Sequence, residues 1–152
     1  MPEALVEELV RARDLDVGIR MLRQVSLGLL DMGFHDTSPE RDLDAINRES
    51  WSVIGLPYHE GTFYAGGFEH LFGGYDAGYY GYLWSKVYGD DMFGRFRAEG
   101  VTNPEVGAAY RREILESGGS RDASEMLRAF LGREPSNATF LELLGIEPGP
   151  PA

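Results

Sequence analysis

The sequence predicts an all-α, mostly helical chain with little or no sheet. Apolar residues recur at three- and four-residue spacing along most of its length. Helix starts and stops punctuate that pattern, as at Asn103-Pro104 and Gly118-Gly119. No segment shows a sustained strand alternation, although the glycine-rich stretch could hold one short strand.

The elements follow in order. Pro2 suits a first helical turn, and Leu5, Val6, Leu9 and Val10 recur behind it, with Glu3, Glu7 and Glu8 near the positive end of the helix dipole. A second helix is expected over about 16–34, with Ile19, Leu22, Val25, Leu29 and Met32 along one stripe. Asp36-Thr37-Ser38-Pro39 breaks it, and a short helix follows near Arg41 to Trp51.

From Gly55 to Tyr75 the density of glycine prevents a regular helix, yet Phe and Tyr are too frequent for a plain linker. This stretch reads as an ordered functional loop with freedom to move. Helix is expected again from about Asp76 to Arg97, then from Asn103-Pro104 to Gly118-Gly119. Ser120 is expected to cap the next helix, carrying Met126, Leu127 and Phe130. Ser136 or Asn137 starts a last one with Phe140, Leu141 and Leu144. One domain, residues 1–146, and a disordered tail, 147–152, are the expected organisation.

Composition narrows the function classes. The chain has 152 residues, 43% hydrophobic and 26% charged, which is ordinary for a soluble domain. No apolar run is long enough to span a bilayer, and no basic-then-apolar leader stands at the N-terminus, so neither a membrane span nor a secretory signal is expected. A net charge of −11, with 14 basic residues scattered among acidic ones, argues against nucleic acid as a partner. With no cysteine there is no thiolate metal site or nucleophile, and a cytoplasmic location is the expectation.

The candidate chemistry lies in residues 70–84. With a helix starting near Asp76, Tyr79 and Tyr82 share one face, Tyr75 stands at its entrance, and Tyr80 and Trp84 occupy another face that reads as core. Phenols in a row beside Gly73-Gly74 and His70 can surround an extended peptide and donate to its carbonyl oxygens. The bland alternative is an aromatic helix buried in a core; the adjacent glycines, which permit close approach and movement, favour a site. Zinc ligation is poorly supported. His35, His59 and His70 are the three histidines, and His59-Glu60 lacks the second histidine of His-Glu-x-x-His because Phe63 stands in its place. His35 reads as a helix C-terminal residue. Ser52, Ser85 and Ser120 lack the glycine flanks of a nucleophile elbow, and Asp90-Asp91 and Asp42/Asp44 read as solvated carboxylates.

The run Gly73-Gly74-Tyr75-Asp76-Ala77-Gly78-Tyr79-Tyr80-Gly81-Tyr82-Leu83-Trp84-Ser85 resembles the signature loop and helix of the thimet oligopeptidase family of zinc metallopeptidases. The resemblance extends to Arg23-Gln24, Asp31, His35, Gly61-Thr62, Asn103-Pro104, Tyr110-Arg111, Gly118-Gly119-Ser120 and Phe130 to Pro135. It implies the C-terminal portion of a zincin-like helical catalytic domain that acts on short peptides. It implies also that the zinc motif lies upstream of the matching region, so the cofactor is zinc in the complete enzyme with no metal ligand here. Tyr82 and His70 then correspond to groups that stabilise the transition state, and Tyr75, Tyr79, Gly73 and Gly74 to groups that bind substrate. Glu69 departs from the small residue common at that position in relatives. On this reading the chain is inactive alone, and its partners are peptides and the missing zinc-bearing part. The alternative is a non-catalytic peptide-binding module of the same descent. A cut slab should also expose a formerly internal face, for which Leu5, Leu9, Ile19, Leu22 and Val25 are the candidates.

Overall fold

The computed structural model describes residues 1–38 and 40–147. Every regular element among them is helical. The expected disorder of the tail beyond Glu147, and the part of the helix break that falls on Pro39, lie outside the described residues. The chain divides into two compact units, Met1–Leu83 and Trp84–Ala152.

In the first unit, α1 spans Glu3–Ala12 and buries no residue. After a turn in which the Arg20 guanidinium donates to the Leu15 carbonyl at 2.7 Å, α2 spans Val17–Phe34. Its C-terminal half buries Ser26, Leu27, Leu30 and Asp31. The stripe Ile19, Leu22, Val25, Leu29 and Met32 faces outward, as do Leu5, Val6, Leu9 and Val10 of α1. α2 is therefore apolar on both sides, a pattern normal for helices covered all round. His35 ends it as its C-cap.

α3 spans Leu43–Ser52, capped by the Asp42 carboxylate, which accepts from the amides of Asp44 and Ala45 at 3.0 Å each. It meets α2 where Gly33 faces Ile46: a Cβ on Gly33 would lie 2.8 Å from the Ile46 Cγ2. Alanine there gains about 1 kcal/mol of helix propensity, but overpacking against a stiff β-branched side chain costs about 1–3 kcal/mol. Gly33→Ala is expected to destabilise by about 1 kcal/mol on balance in urea unfolding. A stabilised variant would show that the α2–α3 seam has slack.

The glycine-rich stretch folds as two 3₁₀ turns, Tyr64–Gly67 and Glu69–Leu71. No strand forms in it. Asn47, buried on α3, ties it down: its Oδ1 accepts the Ala65 amide at 3.0 Å and its Nδ2 donates to the Leu43 carbonyl at 2.7 Å. Leu27, Leu30, Phe68, Leu71 and Tyr79 make the core of this unit, flanked by Phe34, Ile46, Tyr64 and Ala65.

α4 spans Gly81–Glu99, beginning about five residues later than the spacing predicts. Tyr80 and Trp84 are exposed, which corrects their assignment to a core. In the second unit, α5 spans Pro104–Tyr110 behind the Asn103 cap and passes into a π turn over Arg111–Leu115, closed by the Glu116 amide on the Arg111 carbonyl at 2.8 Å. The expected single helix to Gly118-Gly119 is thus interrupted. α6 spans Ala123–Leu131, and its cap is Asp122 rather than Ser120, whose hydroxyl donates instead to the Ser117 carbonyl at 2.7 Å. α7 spans Ala138–Leu143 behind Asn137. Phe130 is fully buried among Phe96, Tyr110 and the Arg95 guanidinium.

Candidate functional site

Residues 68–82 gather a histidine and three tyrosines around one spot. His70 sits in the second 3₁₀ turn. Its ring lies 5.0 Å from Tyr79, 5.4 Å from Phe68, 5.6 Å from Tyr82 and 6.0 Å from Tyr75, centroid to centroid. The Tyr82 ring also stacks 5.1 Å from Tyr75 and 5.0 Å from Tyr79. The His70 Nε2 lies 3.3 Å from the Tyr82 hydroxyl. The structure thus brings together the residues that the sequence groups, but not on a single helical face. Tyr75 and Tyr79 precede α4, in turns, and only Tyr82 stands on its first turn.

Those turns have a local cause and a distant one. Ala77 adopts φ 54°, a left-handed conformation unusual for alanine. Gly81 lacks a Cβ that would otherwise stand 3.2 Å from the Tyr75 hydroxyl, so that phenol can fold over the start of α4. The distant cause is Asp31 on α2. Its Oδ1 accepts the Ala77 amide at 3.1 Å and its Oδ2 the Tyr79 amide at 2.9 Å. The His35 Nδ1 lies 3.1 Å from the same Oδ1 and 2.8 Å from the Asp31 carbonyl.

Burial separates the tyrosines. Tyr82 is 47% exposed and Tyr75 39%, whereas Tyr79 is 8% exposed. The Tyr79 hydroxyl donates to the Gln24 Oε1 at 3.1 Å. Burial raises the Tyr79 phenol above its ordinary pKa, against the opposing pull of Arg23 and of the Gln24 hydrogen bond. Tyr79 is therefore a neutral, internally satisfied phenol at physiological pH. Gly73 and Gly74 are exposed beside this cluster, Gly74 at φ 79°, between the exposed rings of Phe72 and Tyr75.

Among the described residues no group of three or more His, Cys, Asp or Glu side chains is arranged to hold a metal ion. His35 turns back on Asp31, His70 is enclosed by rings, and His59 lines a concavity with Trp51, Tyr58, Thr62, Phe63 and Tyr64. Asp42 is a helix cap. Asp91, read from sequence as solvated, is buried against Arg133. The sequence reading gave Gln24 and Asp31 no role of their own. A signal was present: they are polar residues seven apart on α2, flanking Leu27 on the face that points inward.

A helical chain with this tyrosine–histidine cluster belongs to peptidase family M3, whose model matches residues 1–146. The thimet-like oligopeptidase of Dictyostelium discoideum is 39% identical over 149 residues, which is 96% of this chain and 22% of that protein. Oligopeptidase A of Salmonella typhimurium is 34% identical over 152 residues, 97% of this chain and 22% of that protein. Dipeptidyl carboxypeptidase of Escherichia coli is 31% identical over 155 residues, again 96% and 22%. The chain thus spans about a fifth of the length of these relatives. No helix among the described residues is long and apolar enough to cross a membrane.

Proposed function

We propose that this chain is the substrate-gripping, C-terminal part of the catalytic domain of a cytoplasmic zinc oligopeptidase that hydrolyses short peptides. The observation that carries the reading is the hydroxyl of the half-exposed Tyr82, 3.3 Å from the His70 Nε2 and beside Gly73-Gly74. When His70 donates from Nε2 to the Tyr82 oxygen, the phenol proton is free to point at a peptide carbonyl. A donor so aimed stabilises the oxyanion that forms when that carbonyl is attacked. Tyr75 and the Gly73-Gly74 backbone contact the peptide chain, and Tyr79 serves binding from beneath, as the ring on which His70 and Tyr82 rest.

Among the described residues no side-chain group is arranged for a zinc centre, and on this reading the metal of the proposed enzyme is held by residues outside this chain. Membership of the family supports a metallopeptidase, and the outward apolar stripes of α1 and α2 supply a seat for the zinc-bearing part. The chain alone cleaves nothing on this reading. The test is a chimera in which residues 1–146 replace the matching stretch of the Salmonella oligopeptidase A. Cleavage of a quenched peptide by the chimera, with none by the isolated chain, is the expected result. A folded, zinc-loaded chimera without activity would favour a non-catalytic peptide-binding module instead.

A further inference from the structure

We infer that Asp31 is a positioning residue for the His70–Tyr82 pair, acting through the turn at 77–79, with Gln24 holding the far end of Tyr79. The inference rests on the proposed role of that pair. Asp31 is fully buried in the middle of α2. Its two carboxylate oxygens accept hydrogen bonds from the amides of Ala77 and Tyr79, 46 and 48 positions further along the chain. A left-handed residue followed by an ordinary turn directs neighbouring amides toward one concave spot, and such nests bind anions. Here the anion is a side chain of the same protein.

Asp31 and Gln24 lie two helical turns apart on one face of α2 and hold Tyr79 at both ends, Asp31 at its amide and Gln24 at its hydroxyl. The Tyr79 ring in turn supports His70 and Tyr82 at 5.0 Å each. If the grip is released, Ala77 relaxes from φ 54° toward the ordinary region, and the start of α4, with Tyr82, shifts relative to His70. An apolar side chain at position 31 would leave the Ala77 and Tyr79 amides without their acceptor, so the carboxylate also offsets the cost of its own burial. What the carboxylate adds is a single defined conformation of a turn that alanine does not favour.

The test uses the full chain. Asp31→Asn preserves size and one acceptor but sets an amide N–H₂ against a backbone N–H. In NMR, the nuclear Overhauser contact between the His70 and Tyr82 rings is expected to vanish. The amides of Ala77 and Tyr79 should exchange at least about tenfold faster. Helical circular dichroism should not change. Adding Ala77→Gly, which makes the left-handed turn easy, should restore part of the ring contact. Survival of the contact and of slow exchange in Asp31→Asn overturns the inference. If that variant does not fold, the native chain decides: Ala77 and Tyr79 amides that exchange as fast as that of Asp76 overturn it, and slower exchange supports it. Anisotropy of a fluorescein-labelled, unstructured octapeptide reads the function separately. Loss of the ring contact together with at least about tenfold weaker peptide binding supports both claims. Loss of the contact in a chain that never bound the octapeptide upholds positioning and overturns the peptide-gripping reading.

Discussion

Tyr82→Phe in the chimera with the zinc-bearing part is expected to lower kcat by about 10²–10³-fold, as removal of one preorganised oxyanion donor does. The magnitude follows from where the hydroxyl stands. Tyr82 is half-exposed, and among the described residues the one neighbour its hydroxyl has within hydrogen-bonding reach is the His70 Nε2. Phenylalanine keeps the ring contacts to His70, Tyr75 and Tyr79. Ground-state packing therefore survives, so KM should change little and kcat/KM should fall with kcat. His70→Ala should cost less, because it removes the orienting partner but leaves the phenol. A Tyr82→Phe chimera within a few-fold of its parent would remove the hydroxyl from the mechanism.

Arg133→Ala is expected to be the most damaging surface-accessible change for stability. Asp91 on α4 is 0% exposed and accepts two guanidinium bonds from Arg133, at 2.5 and 3.0 Å, and the Ser136 amide at 2.8 Å. Burial by itself would raise the Asp91 carboxyl, but Arg133 and the Ser136 amide outweigh it and hold the group below its ordinary pKa. Removing one partner of a buried pair strands the other charge and costs about 3–5 kcal/mol. Arg133 is 49% exposed, so water can reach the vacated position, and the lower end, about 3 kcal/mol, is expected. The sign with pH follows. A depressed folded-state pKa contributes stability that is complete above the unfolded value, about 3.9, and is lost as pH falls through the folded one. Without Arg133, burial governs Asp91 and its pKa rises. The gap between native and variant in urea unfolding should therefore be widest near neutrality and narrow as the pH falls toward about 3–4. A gap independent of pH would mean that the pair is not what Arg133→Ala disrupts.

The all-α class was readable because helix periodicity is local, and so was the start of α5, where Asn103-Pro104 carries its own cap and first-turn proline. Ser120 and Asp122 illustrate the limit of local chemistry. Both residue types cap helices, and the choice fell to the one whose carboxylate reaches the Ser124 amide at 2.8 Å. The start of α4 was not readable at all. Ala77 there takes a left-handed φ of 54°, and its amide and that of Tyr79 bond to Asp31, 46 and 48 positions upstream, an arrangement no local pattern shows. Spacing likewise grouped His70 with Tyr75, Tyr79 and Tyr82, yet it could not say that Tyr79 would be buried and Tyr80 exposed. That depends on Phe68 and Leu27, which form one core cluster with Tyr79 only after the chain has turned back.

The outward leucines, valines and isoleucine of α1 and α2 carry a thermal signature. A junction formed on such a surface gains its strength from released water rather than from charge, and that driving force weakens on cooling. Any assembly seated there should hold firm in concentrated sulfate and loosen in the cold room, the reverse of what a salt-bridged seam would do.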